Sequence, residues 1–353
     1  MRSYESDNKQ GEQRVINMQI YIDIDKTTLA KPTFLTIGNF DGLHRGHQAL
    51  LHQLQQLAAQ ATTSSATPIL TGLVTFDPHP LAILRPDQPL HLLTTPRERL
   101  AQAAALGIDI GVLQTFTPEI ARLDAEDFIR LLKQHLGMKA LIVGPDFALG
   151  RNRSGDLNTL RALSQALDYT LHIVEPIAWS GKPVRSSIVR QALQAGNVAE
   201  ATELLGRYYA ITGEVVQGDQ RGRQIGIPTA NLQIPANKLL PANGVYATRT
   251  SVLTGDTNDP DLAPHVFNSV TNLGVRPTVD GVHHRIETHL LDFPAAGQSE
   301  NLYGQTLLLE FVARLRGEQR FANLAELVAQ IQADIAQARQ ILPIAPLSLP
   351  LHG

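Results

Sequence analysis

Two histidines flank a glycine at the point where a predicted strand gives way to a predicted helix. The stretch Thr36–Leu51 reads TIGNFDGLHRGHQALL and places His44 and His47 around Gly46. A helix N-terminus offers unpaired N–H groups and partial positive charge, which suit a phosphate. Glycine lets the backbone approach closely, and two imidazoles add donors directed at the same anion. The spacing predicts a phosphate site, although His-x-Gly-His alone would fit ordinary loop histidines equally well.

The flanking residues make the pattern more specific. Apolar Phe34–Ile37 predicts a buried strand, Gly38–Gly42 predicts a turn, and leucines at helical spacing follow. The full pattern Gly-x-Phe-Asp-Gly-x-His-x-Gly-His resembles the nucleotidyltransferase superfamily, and more closely the N-terminal half of the bacterial bifunctional riboflavin kinase/FAD synthetase family. The resemblance implies that these residues contact ATP: Gly38, Asn39, Phe40, Asp41, His44 and His47.

Polar clusters follow the other predicted strands of this half. Asp77-Pro78-His79-Pro80 follows the second strand and Pro145–Arg151 the fourth. Ser186-Ser187 begins a helix with Arg190 one turn later, which predicts a second anion site facing the first. By resemblance, Ser186, Ser187 and Arg190 bind ATP phosphates. The resemblance also implies that five residues contact the flavin: Asp77, Pro78, His79, Asp146 and Phe147.

A glycine-rich segment dominates the second half. Residues 218–231 read GDQRGRQIGIPTAN, with a glycine every four residues. Such a backbone can fold around phosphates, but neither the P-loop pattern nor the dinucleotide fingerprint is present. Thr229 and Asn231 share one face if extended, and their oxygens suit Mg²⁺. With Pro-Thr-Ala-Asn, the segment resembles the riboflavin kinase signature, and the ATP contacts expected are Gly218, Gly222, Arg223, Gly226, Pro228 and Thr229.

The resemblance continues towards the C-terminus. Asn272–Thr278, Glu287–Phe293, Tyr303-Gly304 and Arg316 follow in the order expected of the kinase. By resemblance, Glu287 is the base that takes the proton of the riboflavin 5′-hydroxyl, and Arg316 contacts the flavin. A strand glutamate is otherwise, by default, a solvated surface residue.

Two architectures must position these residues. The first half alternates strand and helix signals, which predicts an α/β, Rossmann-like domain with a parallel sheet covered on both faces. From Tyr208 to about Phe311 short β-type runs predict an antiparallel barrel or sandwich. Apolar residues spaced as in Leu324, Leu327 and Ile331 predict an amphipathic helix that packs on the barrel.

Composition and length limit which function classes, cellular locations and domain divisions fit the chain. The chain has 353 residues, a net charge of −3 and no cysteine, so disulfides and thiolate catalysis are excluded and nothing favours nucleic acid. We expect no membrane span and a cytoplasmic location. The expected domains are a disordered extension (1–17), an FMN adenylyltransferase (18–204), a riboflavin kinase (205–340) and a tail (341–353).

The resemblance implies two activities that use MgATP. The second half would phosphorylate riboflavin to FMN, and the first would transfer AMP to FMN, giving FAD and pyrophosphate. Two alternatives remain open at this point: an adenylyltransferase whose barrel only binds flavin, and a flavin-sensing regulator. An altered Pro-Thr-Ala-Asn or a missing Glu287 would favour the former, and a DNA-binding helix-turn-helix or a basic face would favour the latter. Oligomeric state does not follow from the sequence.

Overall fold

A computed structural model describes residues 18–175, 178–179, 181–218, 221–253, 266–278, 281–293 and 301–342. The predicted extension (1–17), the polar segment 254–264 and residues 343–353 of the predicted tail lie outside the described residues. The chain forms two compact units, one running up to Ser186 and the other beginning at Ser187.

The first unit alternates strands and helices, as its sequence predicts. The strands are β1 (Gln19–Ile22), β2 (Thr33–Ile37), β3 (Leu70–Asp77), β4 (Ile110–Thr115), β5 (Met138–Val143), β6 (Thr170–Ile173), β7 (Ala178–Trp179) and β8 (Lys182–Pro183). The helices are α1 (Arg45–Thr63), α2 (Pro80–Leu84), α3 (Pro96–Ala105), α4 (Pro118–Arg122), α5 (Ala125–Leu136) and α6 (Leu157–Ala166), with a 3-10 turn at Arg151–Arg153.

Six strands of this unit form one parallel sheet in the order β1-β4-β3-β2-β5-β6. The chain moves from β2 to β3 and β4 on one side, and later to β5 and β6 on the other. β2 therefore lies at the point where the strand order reverses, and ligands of such sheets bind there at the carboxyl ends of the strands. The Gly38–Gly42 turn leaves β2 at that end, so the fold carries the predicted phosphate motif to the expected place.

Apolar side chains cover both faces of the sheet, which explains the continuous apolar run of β2. Phe34 and Leu73 face α1 and α3, where Leu54 and Leu100 complete one core. On the other face, Leu35 of β2, Val74 of β3 and Leu141 of β5 pack against Phe128 and Leu132 of α5. All five residues of β2 are buried. The predicted parallel sheet with helices on both faces is thus confirmed.

Helix ends in this unit follow their capping residues. Thr95 and Glu98 form a reciprocal capping box at the start of α3, with Pro96 in its first turn. The Asp124 side chain accepts from Asp127 N at 2.9 Å at the start of α5, and Gly137 ends that helix in the left-handed conformation. These caps set the register in which α3 and α5 present their buried side chains.

Among the described residues, the second unit and the adjoining Ser186 hold four helices and a barrel. The helices are α7 (Ser186–Gln194), α8 (Val198–Leu205), the single turn α9 (Arg221–Gln224) and α10 (Leu324–Ile341). The strands are β9 (Tyr209–Val216), β10 (Ala230–Gln233), β11 (Gly244–Leu253), β12 (Val266–Thr278), β13 (Gly281–Leu290) and β14 (Thr306–Arg316). They close in the antiparallel order β10-β13-β12-β11-β14-β9, which confirms the predicted barrel.

The barrel separates an inner set of hydroxyls from an outer surface covered by α10. The Thr248 hydroxyl bonds with those of Ser269 and Thr271, and Thr271 donates to Thr288 at 3.0 Å. All four residues are fully buried. Val245 and Ala247, which alternate with Thr248 along β11, pack against Ala338 and Leu342. Because side chains alternate along a strand, Glu287 beside Thr288 belongs to the outer surface under α10.

Three features differ from the sequence prediction or add to it. The sequence does not predict β1 or the β7–β8 hairpin, because each is very short. β1 also leaves the apolar side chains of Ile20 and Ile22 exposed. The glycine-rich segment, predicted as an open loop, contains α9. Helices α7 and α8 belong to the second compact unit, where Ala242 N donates to Leu193 O at 2.9 Å. The functional boundary at residues 204–205 remains a prediction.

Candidate active sites

The segment between β2 and α1 forms a tight turn held by buried apolar side chains. Phe40 and Leu43 both have positive φ, at 47° and 38°, and are only 3% and 1% exposed. Such backbone strain persists only where the surroundings compensate, and here both side chains enter the core under α1 and α3. The turn is therefore a fixed platform for the side chains that follow it.

His44 and His47 stack at the start of α1. His44 is the N-cap, and its Nδ1 accepts from His47 N at 3.3 Å, which leaves the His44 proton on Nε2. The ring centroids are 3.7 Å apart with an angle of 14° between the planes. A Cβ on Gly46 would lie 3.1 Å from the His44 ring, so this glycine allows the stack. Two donors are thus held side by side at a helix N-terminus.

The environment of His47 keeps its imidazole neutral. Burial lowers the pKa of His47 well below 6.5, and positive charge on His44 and Arg99 lowers that pKa further. Its Nδ1 is buried without a hydrogen-bond partner in the described part of the chain. A neutral imidazole can still donate one hydrogen bond to a phosphate oxygen.

Asp41 ties this turn to neighbouring segments. Its carboxylate is 2% exposed and accepts from Leu93 N at 3.1 Å and from Thr94 N at 2.9 Å. The Ser186 hydroxyl donates to the Asp41 carbonyl at 2.9 Å. Ser186, the last residue of the first unit, is therefore joined to the turn that precedes α1.

In the second unit, three polar side chains lie in a row across neighbouring strands. Asn231 of β10 and Asn272 of β12 both stand directly opposite Glu287 of β13. Directly opposed residues share a face, so all three project to the outer surface of the barrel. Glu287 is mostly buried, and its Oε1 accepts from Arg285 Nη2 at 2.6 Å. This ion pair orients the carboxylate beside the two amides.

Glu287 and Asn272 of this row line a cleft of about 790 Å³, a volume in the range of small-molecule sites. The facing wall is the apolar stripe of α10, with Leu324, Leu327 and Ile331. Gly222 and Thr229 lie at its border. An apolar wall opposite a polar row suits a ligand with a flat apolar ring system and a reactive polar arm.

The glycine-rich segment closes on the two predicted magnesium ligands. A Cβ on Gly218 would lie 2.2 Å from Asn231 Nδ2 and 2.8 Å from its Oδ1. One on Gly222 would lie 2.3 Å from Ile227 O and at an ordinary contact distance of 3.4 Å from Thr229 Oγ1. Only glycine lets the backbone approach so closely. The side-chain oxygens of Thr229, Asn231 and Glu287 are hard donors that suit Mg²⁺. Within the described residues, no group of three or more His, Cys, Asp or Glu forms a metal cluster, so phosphate oxygens would complete such a site.

Comparison with known families now decides the identity of both halves. The family model for FAD synthetase matches residues 26–188, and the one for riboflavin kinase matches residues 205–342. The bifunctional riboflavin kinase/FMN adenylyltransferase of Escherichia coli K12 is 39% identical over 307 residues, covering 87% of this chain and 91% of the relative. This chain belongs to the bifunctional riboflavin kinase/FMN adenylyltransferase family. Its FAD synthetase domain is N-terminal and its riboflavin kinase domain is C-terminal.

Other relatives agree across distant bacteria. The Pseudomonas fluorescens enzyme of the same name is 37% identical, covering 87% of this chain and 92% of that protein, and the Bacillus subtilis enzyme is 32% identical, covering 86% and 90%. A crystal structure described as a macrolide-efflux protein from Streptococcus pneumoniae aligns over 92% of this chain and 99% of that one, with a TM-score of 0.77 and 26% identity. In this chain, no described helix has the length and apolarity needed to cross a membrane.

The flavin-side residues expected in the FAD synthetase half lie at carboxyl ends of strands. Asp77 and Pro78 are exposed at the end of β3, whereas His79 is buried and caps α2, its Nδ1 accepting from Leu81 N at 3.1 Å. Asp146 and Phe147 follow β5, and the Asp146 carboxylate pairs with Arg185 at 3.0 Å. Ser187 and Arg190 continue α7 and fall in the second compact unit.

In the riboflavin kinase half, Arg316 is held by an acidic partner. Its guanidinium makes three hydrogen bonds of 2.8–3.1 Å to the Asp334 carboxylate of α10. Both residues line the cleft. Pro228 O lies 2.7 Å from His289 Nδ1, while Arg223 is exposed and Gly226 has a φ of 75°.

Sequence reasoning did not find three residues that now stand beside the sites. Asp334 interrupts the apolar stripe of α10, and a buried-face carboxylate is a signal that could have been used. Arg285 shares a strand face with Glu287, which becomes visible once the strand register is known. Arg99 gives no signal, because arginine in a helix is ordinarily a solvated residue.

Proposed function

We propose that the stacked histidines hold the reacting phosphates of ATP while FMN attacks. An oxygen of the FMN phosphate bonds to the α-phosphorus, and the bond from that phosphorus to pyrophosphate breaks. No protein nucleophile is needed. His44 and His47 donate to the α-phosphate and the leaving group, and a donor of this kind is worth about 3–4 kcal/mol at a transition state. The observation that carries this assignment is the stack at the N-terminus of α1, at the switch point of the sheet.

The other ATP and flavin contacts of this domain are part of the proposal. The turn residues Gly38, Asn39, Phe40 and Asp41 line the nucleotide, mainly through the backbone since the Asp41 carboxylate faces inward. Ser186 is supported by its bond to the turn; Ser187 and Arg190 are supported by sequence pattern alone. Asp77, Pro78, His79, Asp146 and Phe147 are proposed on the flavin side because they follow β3 and β5.

For the kinase domain, we propose Glu287 as the general base. Its carboxylate takes the proton of the riboflavin 5′-hydroxyl, whose oxygen receives the γ-phosphoryl group, and ADP leaves. The glycine-rich segment holds ATP through Gly218, Gly222, Arg223, Gly226, Pro228 and Thr229. Arg316, fixed by Asp334, faces the flavin. The row Asn231–Glu287–Asn272 beside the cleft carries this assignment.

Mg²⁺ is proposed as the metal of the kinase site, with Thr229 and Asn231 as its protein ligands. When bound, Mg²⁺ neutralises phosphate charge during phosphoryl transfer. The functional domains are proposed as residues 18–204 and 205–340, and the enzyme is proposed to work in the cytoplasm.

Two variants test whether each domain carries out its own reaction. His47→Ala should abolish FAD formation while FMN still accumulates from riboflavin and ATP, because the two sites lie in separate domains. Glu287→Gln should do the reverse, leaving the conversion of supplied FMN to FAD intact. Flavins separated after incubation with ATP and Mg²⁺ give the result. FAD made at the wild-type rate by His47→Ala would refute the phosphate role of the histidines.

A further inference from the structure

Arg99 is a buried guanidinium that the proposed reactions do not use. It lies in the first turn of α3 and is 1% exposed. Burial and the positive end of a helix both disfavour a cation there. Burial lowers the pKa of Arg99, and three nearby carboxylates oppose that shift: Asp41, Asp77 and Glu98. A cation placed so unfavourably points to a role other than stability.

The hydrogen bonds of Arg99 lead to the turn ahead of α1. Its Nη1 donates to Thr75 Oγ1 at 2.6 Å and to Phe76 O at 3.3 Å. The Thr75 hydroxyl in turn donates to Asn39 O at 3.1 Å. Asn39 belongs to the Gly38–Gly42 turn, so Arg99 supports that turn through one intervening hydroxyl.

The remaining donors of Arg99 are unsatisfied. Nε and Nη2 are buried and make no hydrogen bond within the described residues, and the same holds for Thr36 Oγ1 and His47 Nδ1. Arg99 also lies close enough to His47 to lower its pKa. Unsatisfied buried polar groups are rare in folded proteins. The two unused donors of Arg99 belong to a cation close to His47, and Asp41, Asp77 and Glu98 act on that cation at a distance without accepting from Nε or Nη2.

We propose that Arg99 is a positioning residue of the adenylyl-transfer site, where it fixes the Gly38–Gly42 turn and holds a buried positive charge whose electric field attracts the phosphates of ATP. This inference rests on the function proposed above for that site. Arg99 is shielded from solvent, so it acts on the site indirectly, through its hydrogen bond to Thr75 and through the electric field of its charge. In the protein interior a charge acts over several ångströms more strongly than in water.

The test compares Arg99→Met, Arg99→Lys and the control Arg97→Met in the full chain. Arg97 is an exposed cation in the same helical turn. Arg99→Met should raise the KM for ATP in FAD formation by roughly tenfold and reduce the increase in Tm produced by pyrophosphate. Its Tm without ligand should also fall, because the turn loses the Arg99 hydrogen bonds and the buried Asp41 carboxylate loses a nearby cation. Arg99→Lys should recover most of the ATP affinity, and Arg97→Met should match the wild type.

Each outcome decides the inference. An unchanged KM for ATP in Arg99→Met would overturn it, and so would a lysine variant no better than methionine, since charge would then not matter. If Arg99→Met does not fold, Arg99→Lys and Arg99→Gln are compared instead. Lysine keeps the positive charge, whereas glutamine keeps hydrogen-bonding capacity without the charge. If His47→Ala still formed FAD, the proposed function of the site would be refuted. If His47→Ala were inactive and Arg99→Met had a normal KM for ATP, only the inference about Arg99 would be refuted.

Discussion

At the scale of residues, the two sites present charge in different ways. The proposed adenylyl-transfer site offers a neutral imidazole donor, because burial and neighbouring positive charge oppose protonation of His47. The proposed kinase site offers the Glu287 carboxylate, which Arg285 holds at 2.6 Å and two amides flank. The former suits stabilisation of developing negative charge, and the latter suits removal of a proton.

Glu287→Gln should lower the rate of FMN formation by about 10²–10⁴-fold, the usual contribution of a general base. The amide keeps the shape of the side chain but cannot accept the proton. Single-turnover FMN formation, measured beside riboflavin affinity, is the decisive experiment. Glu214→Gln, an exposed glutamate on β9, is the matched control and should change neither value. Unchanged turnover in Glu287→Gln would reduce the residue to a surface glutamate, and lost affinity with normal turnover would make it a binding residue.

His47 should give the protein a pH-dependent stability. Its folded-state pKa lies well below 6.5, so the unfolded chain takes up the proton first as the pH falls. The stability contributed by this group is therefore complete above about pH 6.5 and is lost progressively below it. Thermal unfolding between pH 8 and pH 5 should show a larger fall in Tm for the wild type than for His47→Gln. Parallel curves would contradict the assignment.

At the scale of elements, α10 is both a structural helix and a wall of the kinase cleft. Its apolar stripe faces the polar row of the barrel, and Asp334 binds Arg316 of β14 across the interface. The carboxylate is 4% exposed and the guanidinium 16%. Removing one partner of a buried pair leaves the other charge uncompensated, which is more damaging than losing a surface pair.

Asp334→Asn should therefore destabilise the protein by about 3 kcal/mol and raise the KM for riboflavin, because α10 loses its fixed position over the cleft. Thermal unfolding and FMN formation measure the two effects. The control is Asp292→Asn, which breaks the exposed pair with Arg339 and should leave both values close to wild type. Equal effects of the two substitutions would show that the Arg316–Asp334 bridge does not position the helix.

At the scale of the whole molecule, each unit carries its own core and its own proposed site. Helix α8 buries Ala201, Leu204 and Leu205 and packs on β9 and β14. Arg314 Nη2 also donates to Asn243 O at 2.7 Å within this unit. The kinase domain matched by its family model begins at residue 205, whereas the compact unit begins at Ser187.

A fragment of residues 205–342 should fold and phosphorylate riboflavin, since it carries the barrel, the glycine-rich segment and α10. A fragment of residues 187–342 should have the same turnover and a higher Tm, because it adds α8, which packs on β9 and β14, and the hydrogen bond from Ala242 N to Leu193 O of α7. Thermal unfolding and FMN formation of the two fragments make the comparison. A folded fragment that binds riboflavin but cannot phosphorylate it would refute an autonomous kinase.

The sequence by itself determined the class of each half and the chemistry of its motifs. Alternating strand and helix signals predicted the parallel sheet, short β-type runs predicted a barrel or sandwich, and His-x-Gly-His at a helix start predicted a phosphate site. The kinase chemistry of Pro-Thr-Ala-Asn followed instead from its resemblance to the riboflavin kinase signature. These signals are local, since they depend on periodicity, capping and the residue types that a turn or an anion site requires.

Only the tertiary structure decided which distant residues meet. Strand order placed β2 at the switch point, barrel register put Glu287 opposite Asn231 and Asn272, and closure put that row on the outer surface under α10. It also buried Arg99 and paired Asp334 with Arg316. Register and burial arise from packing between segments far apart in the chain, so no local pattern contains them.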